Sequence, residues 1–554
     1  MGSICSGDDE FADGASFKPG EQYFINEVDR NPNRDAQSNK LRDKVDLYFS
    51  LVDVVNPSKM HSFSITIINN AKLNIDTYLG DLEERSGKEI QFGKSFTVNY
   101  YFQREQLLLI TPKLNGIQAG ERQQITLSDL IRNPQETKIF FQGIGTLKIA
   151  FKQKRMDYPK SENYISSFEM KFHLSHKIFN EPINTQEMYF IIYIADNNIK
   201  RALYKSQEFY DKNIVSNIIN LDNEWLMSNG NANTPLYLVL FCPHLRKNKY
   251  IGFGEFNLRL LEYNLTRDQI TTIPLSSKKY GNIGNFLINY NQTVKLGFIE
   301  YLSKGMQINL DIAIDYTASN NDPHDNPIPL HNIDPRYPND YEKAIESCGS
   351  IVAFYDYDQL FPVYGFGGVP KTPDNPNGMV SHCFNINFKG DPNIHGINNI
   401  ILAYRESLSK VTLATPTSFS PVIEKVIQEV KYDMEYNREE NHYYILLILT
   451  DGFINDAQQT RDKIVEASYL PMSIIIVGIG KADFTLMNLL DGDEEPVRNS
   501  RGEPWKRDIV QFVEFEKFKI SGAVDYGTDL TEEVLKEIPT QVEKYFQLCG
   551  KFYE

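Results

Sequence analysis

Two hydrophobic patterns divide the chain. Between residues 41 and 305 the apolar positions recur at every second residue in short runs, as in 45–51, 63–67, 146–151 and 168–174. Alternation buries one face of a strand and wets the other. Residues 96–102, 106–110, 188–194 and 236–241 are aromatic and branched runs of strand length. Short strands separated by turn signals predict β-sandwiches, and this span has room for two.

After residue 305 the pattern changes. Residues 308–315, 443–449 and 472–480 are near-continuous apolar runs, which predict strands buried on both faces. Segments 340–354, 394–408, 418–432 and 456–467 have helical spacing. Residues 361–366, 381–388 and 508–513 read as further strands, and 531–548 as a closing helix. Strands alternating with helices predict a mostly parallel sheet covered on both faces. The expected architecture is therefore multidomain: two all-β sandwiches followed by an α/β doubly wound domain. The expected boundaries are 41–142, 143–304 and 305–554. They follow a polar segment at 1–40 in which Gly, Pro, Asn and Asp recur, as a flexible tether would read.

Composition narrows the classes. The 554 residues are 41% hydrophobic and 23% charged, as in ordinary globular proteins. A disordered chain, a collagen-like chain and a small disulfide scaffold are excluded. The net charge of -16 argues against a nucleic-acid partner. That charge is unevenly spread. Residues 41–305 carry +6 and residues 306–554 carry -18, which suggests two halves with different partners. Cys5, Cys242, Cys348, Cys383 and Cys549 form no CxxC pair, so a reducing, cytoplasmic location is expected rather than a zinc or disulfide framework. The apolar runs are too short to span a bilayer, and no apolar N-terminal stretch suggests a secretory signal.

The first residues, Met1-Gly2-Ser3-Ile4-Cys5-Ser6, fit the myristoylation pattern. Gly2 would carry the myristoyl chain and Cys5 a palmitoyl group. One acyl chain anchors marginally, so a second signal is needed, from Cys5 or from the basic middle. Met-Gly starts with a nearby serine also arise by chance.

Hard oxygen donors gather at the ends of the expected α/β strands. The first strand ends in Asp315-Tyr316-Thr317-Ala318-Ser319 and the central one in Thr450-Asp451-Gly452, with Pro416-Thr417-Ser418 at a helix start between them. Asp315, Thr317, Ser319, Thr417 and Asp451 supply two carboxylates and three hydroxyls. Such a set suits magnesium or manganese completed by water. An open coordination position would accept a carboxylate from a partner protein. Each piece alone also fits a turn cap.

This order of residues resembles a von Willebrand A-type domain with a metal-dependent adhesion site, with Thr317 in place of the usual middle serine. Residues 96–98 leading to 106–108 resemble the central hairpin of a C2 domain, and 250–256 the end of the third loop of a second one. Residues 305–320, 470–478 and 507–513 resemble copines, as does the order of two C2-like modules before one A-type domain. The resemblance implies a cytoplasmic protein, peripheral to the plasma membrane or another cytoplasmic-face membrane, that binds anionic phospholipid in response to calcium. It implies that the A-type domain recruits target proteins in signalling.

The calcium chemistry departs from that family. The first module has Asn56 and His61 where aspartates are expected, and its third-loop region, 111–115, has no carboxylate. The second has Glu181 and Glu187 in the first loop, but Arg246, Lys247 and Lys249 in the third. Too few ligands and added repulsion predict weak calcium binding. The three cations would meet lipid phosphates directly, at ~1 kcal/mol each near an anionic surface, and they fit a solvated loop equally. Lys148, Lys152 and Lys154 read as the wet face of a sandwich or a polybasic lipid surface, the wet face being favoured.

Two binding readings follow: a peripheral membrane adaptor, or a soluble metal-dependent interaction scaffold without calcium-regulated membrane binding. An enzyme is not expected. No GK[ST] follows Gly365-Phe366-Gly367-Gly368, and no GxSxG elbow is present.

Overall fold

The computed structural model describes residues 44–69, 78–133, 137–153, 164–174, 188–196, 199–206, 208–209, 219–223, 226–227, 231–244, 247–277, 281–321, 328–334, 336–373, 375–437, 441–492, 495–520 and 526–549. They form two compact bodies. One lies within residues 156–295, and the other joins 30–155 to 296–551.

The first sandwich is made of two antiparallel sheets. One has the order Ile90–Gln91, Lys44–Val52, Gly145–Gln153, Thr137–Phe141, with Phe96–Asn99 also on Lys44–Val52. The other has the order Tyr78–Asp81, His61–Asn69, Gln106–Leu114, Ile117–Gln118, with Gln123–Thr126 on Gln106–Leu114. The alternation read from sequence is obeyed: Val45, Leu47, Phe49 and Leu51 are buried, and Tyr48 between them is exposed. Two expectations are corrected. Residues 96–99 and 106–114 are not a hairpin but lie in opposite sheets, because a turn at 102–104 carries the chain across the core. The boundary at 142/143 is also displaced. Within Gly145–Gln153, residues Thr146 to Gln153 pair with Val45 to Val52, so this strand belongs to the first module.

The second sandwich is one folded antiparallel sheet of eight strands. Its order is Ile199–Lys205, Tyr189–Asp196, Leu236–His244, Lys247–Phe256, Thr271–Ser277, Gly281–Val294, Tyr164–Leu174, Ile219–Asp222. The sheet turns its corner between Lys247–Phe256 and Thr271–Ser277, which share a single paired position, Phe253 with Ser276. Gly254 makes this possible, since a Cβ there would stand 2.4 Å from the Phe286 ring.

The α/β domain follows the expected alternation. Its elements are β1 (Gln307–Asp315), α1 (Asp340–Val352), β2 (Leu360–Phe366), α2 (Ile397–Lys410), α3 (Ser420–Tyr436), β3 (His442–Thr450), α4 (Ala457–Ala467), β4 (Met472–Gly478), α5 (Thr485–Asp491), β5 (Val510–Glu514), α6 (Glu516–Ile520), α7 (Tyr526–Leu535) and α8 (Ile538–Leu548). The parallel order is β2-β1-β3-β4-β5, with Phe384–Asn385 antiparallel on β2. Of the expected 381–388 strand, this short piece pairs with β2, and Ser381 forms an isolated bridge to Gly368. One sheet face packs on α3, α4 and α5 through Val422, Ile423, Val426, Ile464 and Met487. The helices α1, α7 and α8 contact β1, β5 and β4 respectively. A capping box starts α1: Asn339 accepts from the Glu342 N–H, and Glu342 accepts from the Asn339 N–H. The single helix expected over 531–548 is broken between α7 and α8. Pro539 has no N–H for the carbonyl four residues back, so it is tolerated only in the first turn of a new helix.

The first sandwich is fastened to the α/β domain, although the second sandwich separates them in sequence. Phe102 packs on Phe298 at 5.0 Å and on Tyr355 at 4.6 Å between ring centres. The Tyr100 and Tyr355 hydroxyls share a buried hydrogen bond of 2.5 Å, and Arg132 donates to the Phe354 carbonyl. Phe298 opens the helix Phe298–Ser303, whose Tyr301 stacks on Phe546 of α8. The α/β body therefore starts before the expected residue 305.

In mid-strand β1, Asp311 is fully buried and its Oδ1 has no hydrogen-bond partner. Burial, then the charges of Glu429 and Asp356, hold its carboxyl well above the usual range, with Lys425 opposing. A raised folded-state pKa means stability that is full below about pH 4 and is lost as pH rises toward the folded value. Asp311→Asn should therefore match wild type near pH 4 and exceed it at pH 8 by about 1–3 kcal/mol, the cost of a buried unsatisfied group. Denaturant melts at the two pH values measure this. Phe102→Ala should cost about 3–5 kcal/mol. In a double-mutant cycle with Phe298→Ala, a clearly non-zero coupling is expected, and simple additivity would contradict the fastening.

Candidate metal site at the sheet switch point

The chain leaves β1 toward β2 on one side and toward β3 on the other, so a crevice opens beyond the carboxyl ends of β1 and β3. Parallel register sets Ile314 beside Leu449, which brings Asp315 next to Thr450 and Asp451. Residues 318–321 then form a 3-10 turn that folds Thr317 and Ser319 back over Asp315.

Asp315 is fully enclosed by donors. Its Oδ1 accepts from the Thr317 N–H at 2.7 Å, the Thr317 hydroxyl at 2.5 Å and the Asn320 amide at 3.4 Å. Its Oδ2 accepts from the Thr450 hydroxyl at 2.7 Å. The Ser319 hydroxyl donates to Asp451 Oδ1 at 2.9 Å and lies 3.0 Å from the Thr317 hydroxyl, which is itself 3.5 Å from Asp451 Oδ1. Asp315, Thr317, Ser319 and Asp451 are thus one hydrogen-bonded group.

Both carboxyls are pushed up. For Asp315 the cause is burial, opposed by its bonds from Thr317 and Thr450. For Asp451, burial and then the charge of Asp315 raise it to about 8. Two acids in this position cannot both ionise at low cost without a countercharge. A dication would supply that countercharge, and the donors are hard oxygens throughout. The set therefore fits magnesium or manganese. Among the described residues no cluster of three His, Cys, Asp or Glu side chains forms an alternative metal site.

Thr417 stands apart from this group. Its N–H donates to Asn455 Oδ1 and its carbonyl accepts from the Asn455 N–H, both at 2.9 Å. No hydrogen bond joins its hydroxyl to Asp315 or Asp451. It flanks the crevice, held to the segment that follows Asp451. Asp456 secures the same segment by accepting from the N–H groups of Phe419 and Ser420.

The sequence reading missed several supporting residues. Thr450 and Asn320 adjoin the motif and complete the shell of Asp315. His331 is buried against Tyr316, Tyr341 and Tyr404. Its Nε2 is 2.9 Å from the Asp315 carbonyl, so that nitrogen carries the proton, and Nδ1 accepts from the Tyr404 hydroxyl at 2.8 Å. Burial lowers its pKa to about 4, which keeps it neutral. Tyr341 donates to Asn320 Oδ1 at 2.7 Å. Gly367 closes the far wall: its φ is +73°, and a Cβ would stand 2.1 Å from the Thr317 methyl. No signal short of the fold distinguishes these from core residues.

The other expected sites fare differently. Gly2, Cys5, Glu181, Glu187 and Arg246 lie outside the described residues, as do Lys154 and the 1–40 tether. Lys247 and Lys249 are in the strand Lys247–Phe256, paired with His244 and Cys242. Residues 242–244 and 247–249, expected to lie in a long third loop, are therefore paired strand. In the first module, 111–114 likewise continues a strand. It ends in a tight Asn115-Gly116 turn with φ of +50° and +77°, where no calcium loop is formed.

Residues 329–551 match the family model described as Copine. That span includes Thr417 and Asp451 but begins after Ser319. Similar solved structures include BON1-C2B, 14% identical over 26% of this chain and 99% of that one, with a TM-score of 0.21. Manganese-loaded Plasmodium vivax TRAP protein is 13% identical over 38% and 70%, with a TM-score of 0.23. The calcium-bound pair of C2 domains of Extended-Synaptotagmin 2 is 8% identical over 46% and 99%, with a TM-score of 0.18. Residues 329–551 therefore carry a copine-family domain.

Proposed function

We propose that the protein is a peripheral membrane adaptor, in which the C2-like modules meet anionic phospholipid and the α/β domain recruits partner proteins through a bound dication. The observation that carries this reading is the convergence of Asp315, Thr317, Ser319 and Asp451 at the switch point, with both acids raised by mutual burial. Asp315, Thr317, Ser319 and Asp451 would hold magnesium or manganese, with Thr417 at the flank. The ion supplies a Lewis-acid position for a carboxylate of the partner. The chain's own part is to hold the acids: Thr450 and Asn320 fix Asp315, Ser319 fixes Asp451, and His331 ties the end of β1 to α2. Binding rather than catalysis is the role proposed.

Calcium control is proposed to be weak. The loop at 53–60 in the first module offers one carboxylate, Asp53, whereas calcium takes six to eight oxygens. No described helix is long and apolar enough to cross a membrane. A membrane role would therefore rest on surface contact and on the acyl chain proposed at Gly2, backed by Cys5.

Magnesium should raise the melting temperature of wild type, with about 2.7 kcal/mol gained at a hundredfold excess over Kd. Asp451→Ala should show no such rise, and identical magnesium-insensitive melts would remove the metal reading. Vesicle sedimentation in calcium and in chelator should give similar pelleting. Strong calcium-dependent pelleting of the unlipidated chain would refute weak calcium control. Gly2→Ala should lower pelleting of protein made in cells that acylate it.

A further inference from the structure

Two adjacent strands of the second sandwich are apolar on both faces. Phe190, Ile192, Ile194, Leu238 and Leu240 point into the core. The residues between them, Tyr189, Ile191, Tyr193, Tyr237, Val239 and Phe241, form a separate apolar cluster on the outer face. Register sets Tyr189 beside Phe241, Ile191 beside Val239 and Tyr193 beside Tyr237. Ala202 and Phe253 extend the cluster onto the strands at either side. An antiparallel sheet with one face in water alternates apolar with polar side chains. Here Ile191 and Val239 are 0% exposed, and Tyr189 and Tyr237 2%. Burial this complete within a single chain means that another stretch of the same chain lies over the face.

The face also carries polar chemistry. The Tyr189 hydroxyl is buried and has no hydrogen-bond partner, which is costly unless its cover brings a polar group. Lys205 is buried on the same face, its ammonium 4.5 Å from the centre of the Tyr189 ring. Burial lowers its pKa, and the charge of Glu208 opposes this. Along the sequence the four strands carry Lys200, Arg201, Lys205, Lys247 and Lys249 against Asp196 and Glu255, net +3.

Residues 1–43 precede the described chain. The first 29 hold seven carboxylates and one lysine, net -6, with Tyr23-Phe24-Ile25 as an apolar run among them. Forty-three residues extend to roughly 140 Å, enough to reach any face of a domain this size. Charge and apolarity both complement the outer face.

We infer that the outer face of the second sandwich is the docking site of this chain's own N-terminal segment, with Tyr23, Phe24 and Ile25 on the apolar cluster and the flanking carboxylates toward the strand cations. The proposed acyl sites Gly2 and Cys5 are thereby held to the second module. The inference goes beyond the adaptor reading and stands whether or not the chain is acylated, holds a metal or meets a membrane.

The test is limited digestion of the full chain with subtilisin, read by mass spectrometry at the bonds within residues 11–22. Wild type should be cut there about tenfold more slowly than Tyr23→Ser/Phe24→Ser/Ile25→Ser, since cleavage tracks the population of the undocked form. Those substitutions lie outside every strand of the sandwich, so they do not perturb its fold. Tyr237→Ser/Val239→Ser on the face should release the segment to the same extent. If that face variant loses its cooperative melt, the segment variant alone decides. High salt should speed cleavage of wild type more than of the segment variant, because it screens the charge attraction. Equal cleavage of wild type and the segment variant would show the segment free and overturn the inference. Protection that is lost on dilution would assign the cover to a second copy and overturn it as well.

Discussion

The parallel pairing of β1 with β3 is the constraint on which the functional end of the α/β domain depends. It aligns two strand ends and so sets Asp315 against Asp451 in a crevice that excludes most water. Burial raises both, and the charge of Asp315 raises Asp451 further. The surrounding hydroxyls partly offset this cost, and a dication would offset the rest. Stability spent on the pair is thus what makes the crevice a receptor for positive charge.

The supporting shell is built to keep that geometry. Asn320 bonds both Asp315 and the Thr317 carbonyl, and is itself held by Tyr341 at the start of α1. His331 joins the Asp315 carbonyl to Tyr404 of α2. Donors fixed from two helices leave the carboxylates few alternative rotamers, and such outer partners tune metal sites as strongly as the ligands do. The other end of α1 leads to Phe354 and Tyr355, where the first sandwich is fastened. One body therefore holds the crevice and the first sandwich together, while the second sandwich forms a body of its own.

Much of the fold was legible because each domain has its own periodicity. Alternation marked the sandwich strands, and unbroken apolar runs marked β1, β3 and β4, which are buried on both faces. What periodicity does not carry is which sheet a strand joins. That is why 96–99 and 106–114 read as a hairpin, and why Gly145–Gln153 was given to the wrong module. Long-range pairing decided both, with Lys44–Val52 as the partner strand. Residues expected in two calcium loops were likewise paired strand: 242–244 with 247–249 in the second module, and 111–114 in the first, which ends in the tight Asn115-Gly116 turn.

For the site, local sequence was enough to name the donors. Asp315, Thr317 and Ser319 lie within one turn, and Asp451 ends an unmistakable buried strand. The charge division was also a matter of sequence: a basic middle and an acidic C-terminal half. Tertiary structure alone decided which donors meet. It joined Thr450 and Asn320 to Asp315, set Thr417 to the side on Asn455, and brought His331 beneath the strand end. It also turned scattered lysines into one face by pairing Lys148 with Lys138. Residue type and spacing specify chemistry over a few positions. Proximity between residues more than a hundred positions apart comes only from sheet register and helix packing.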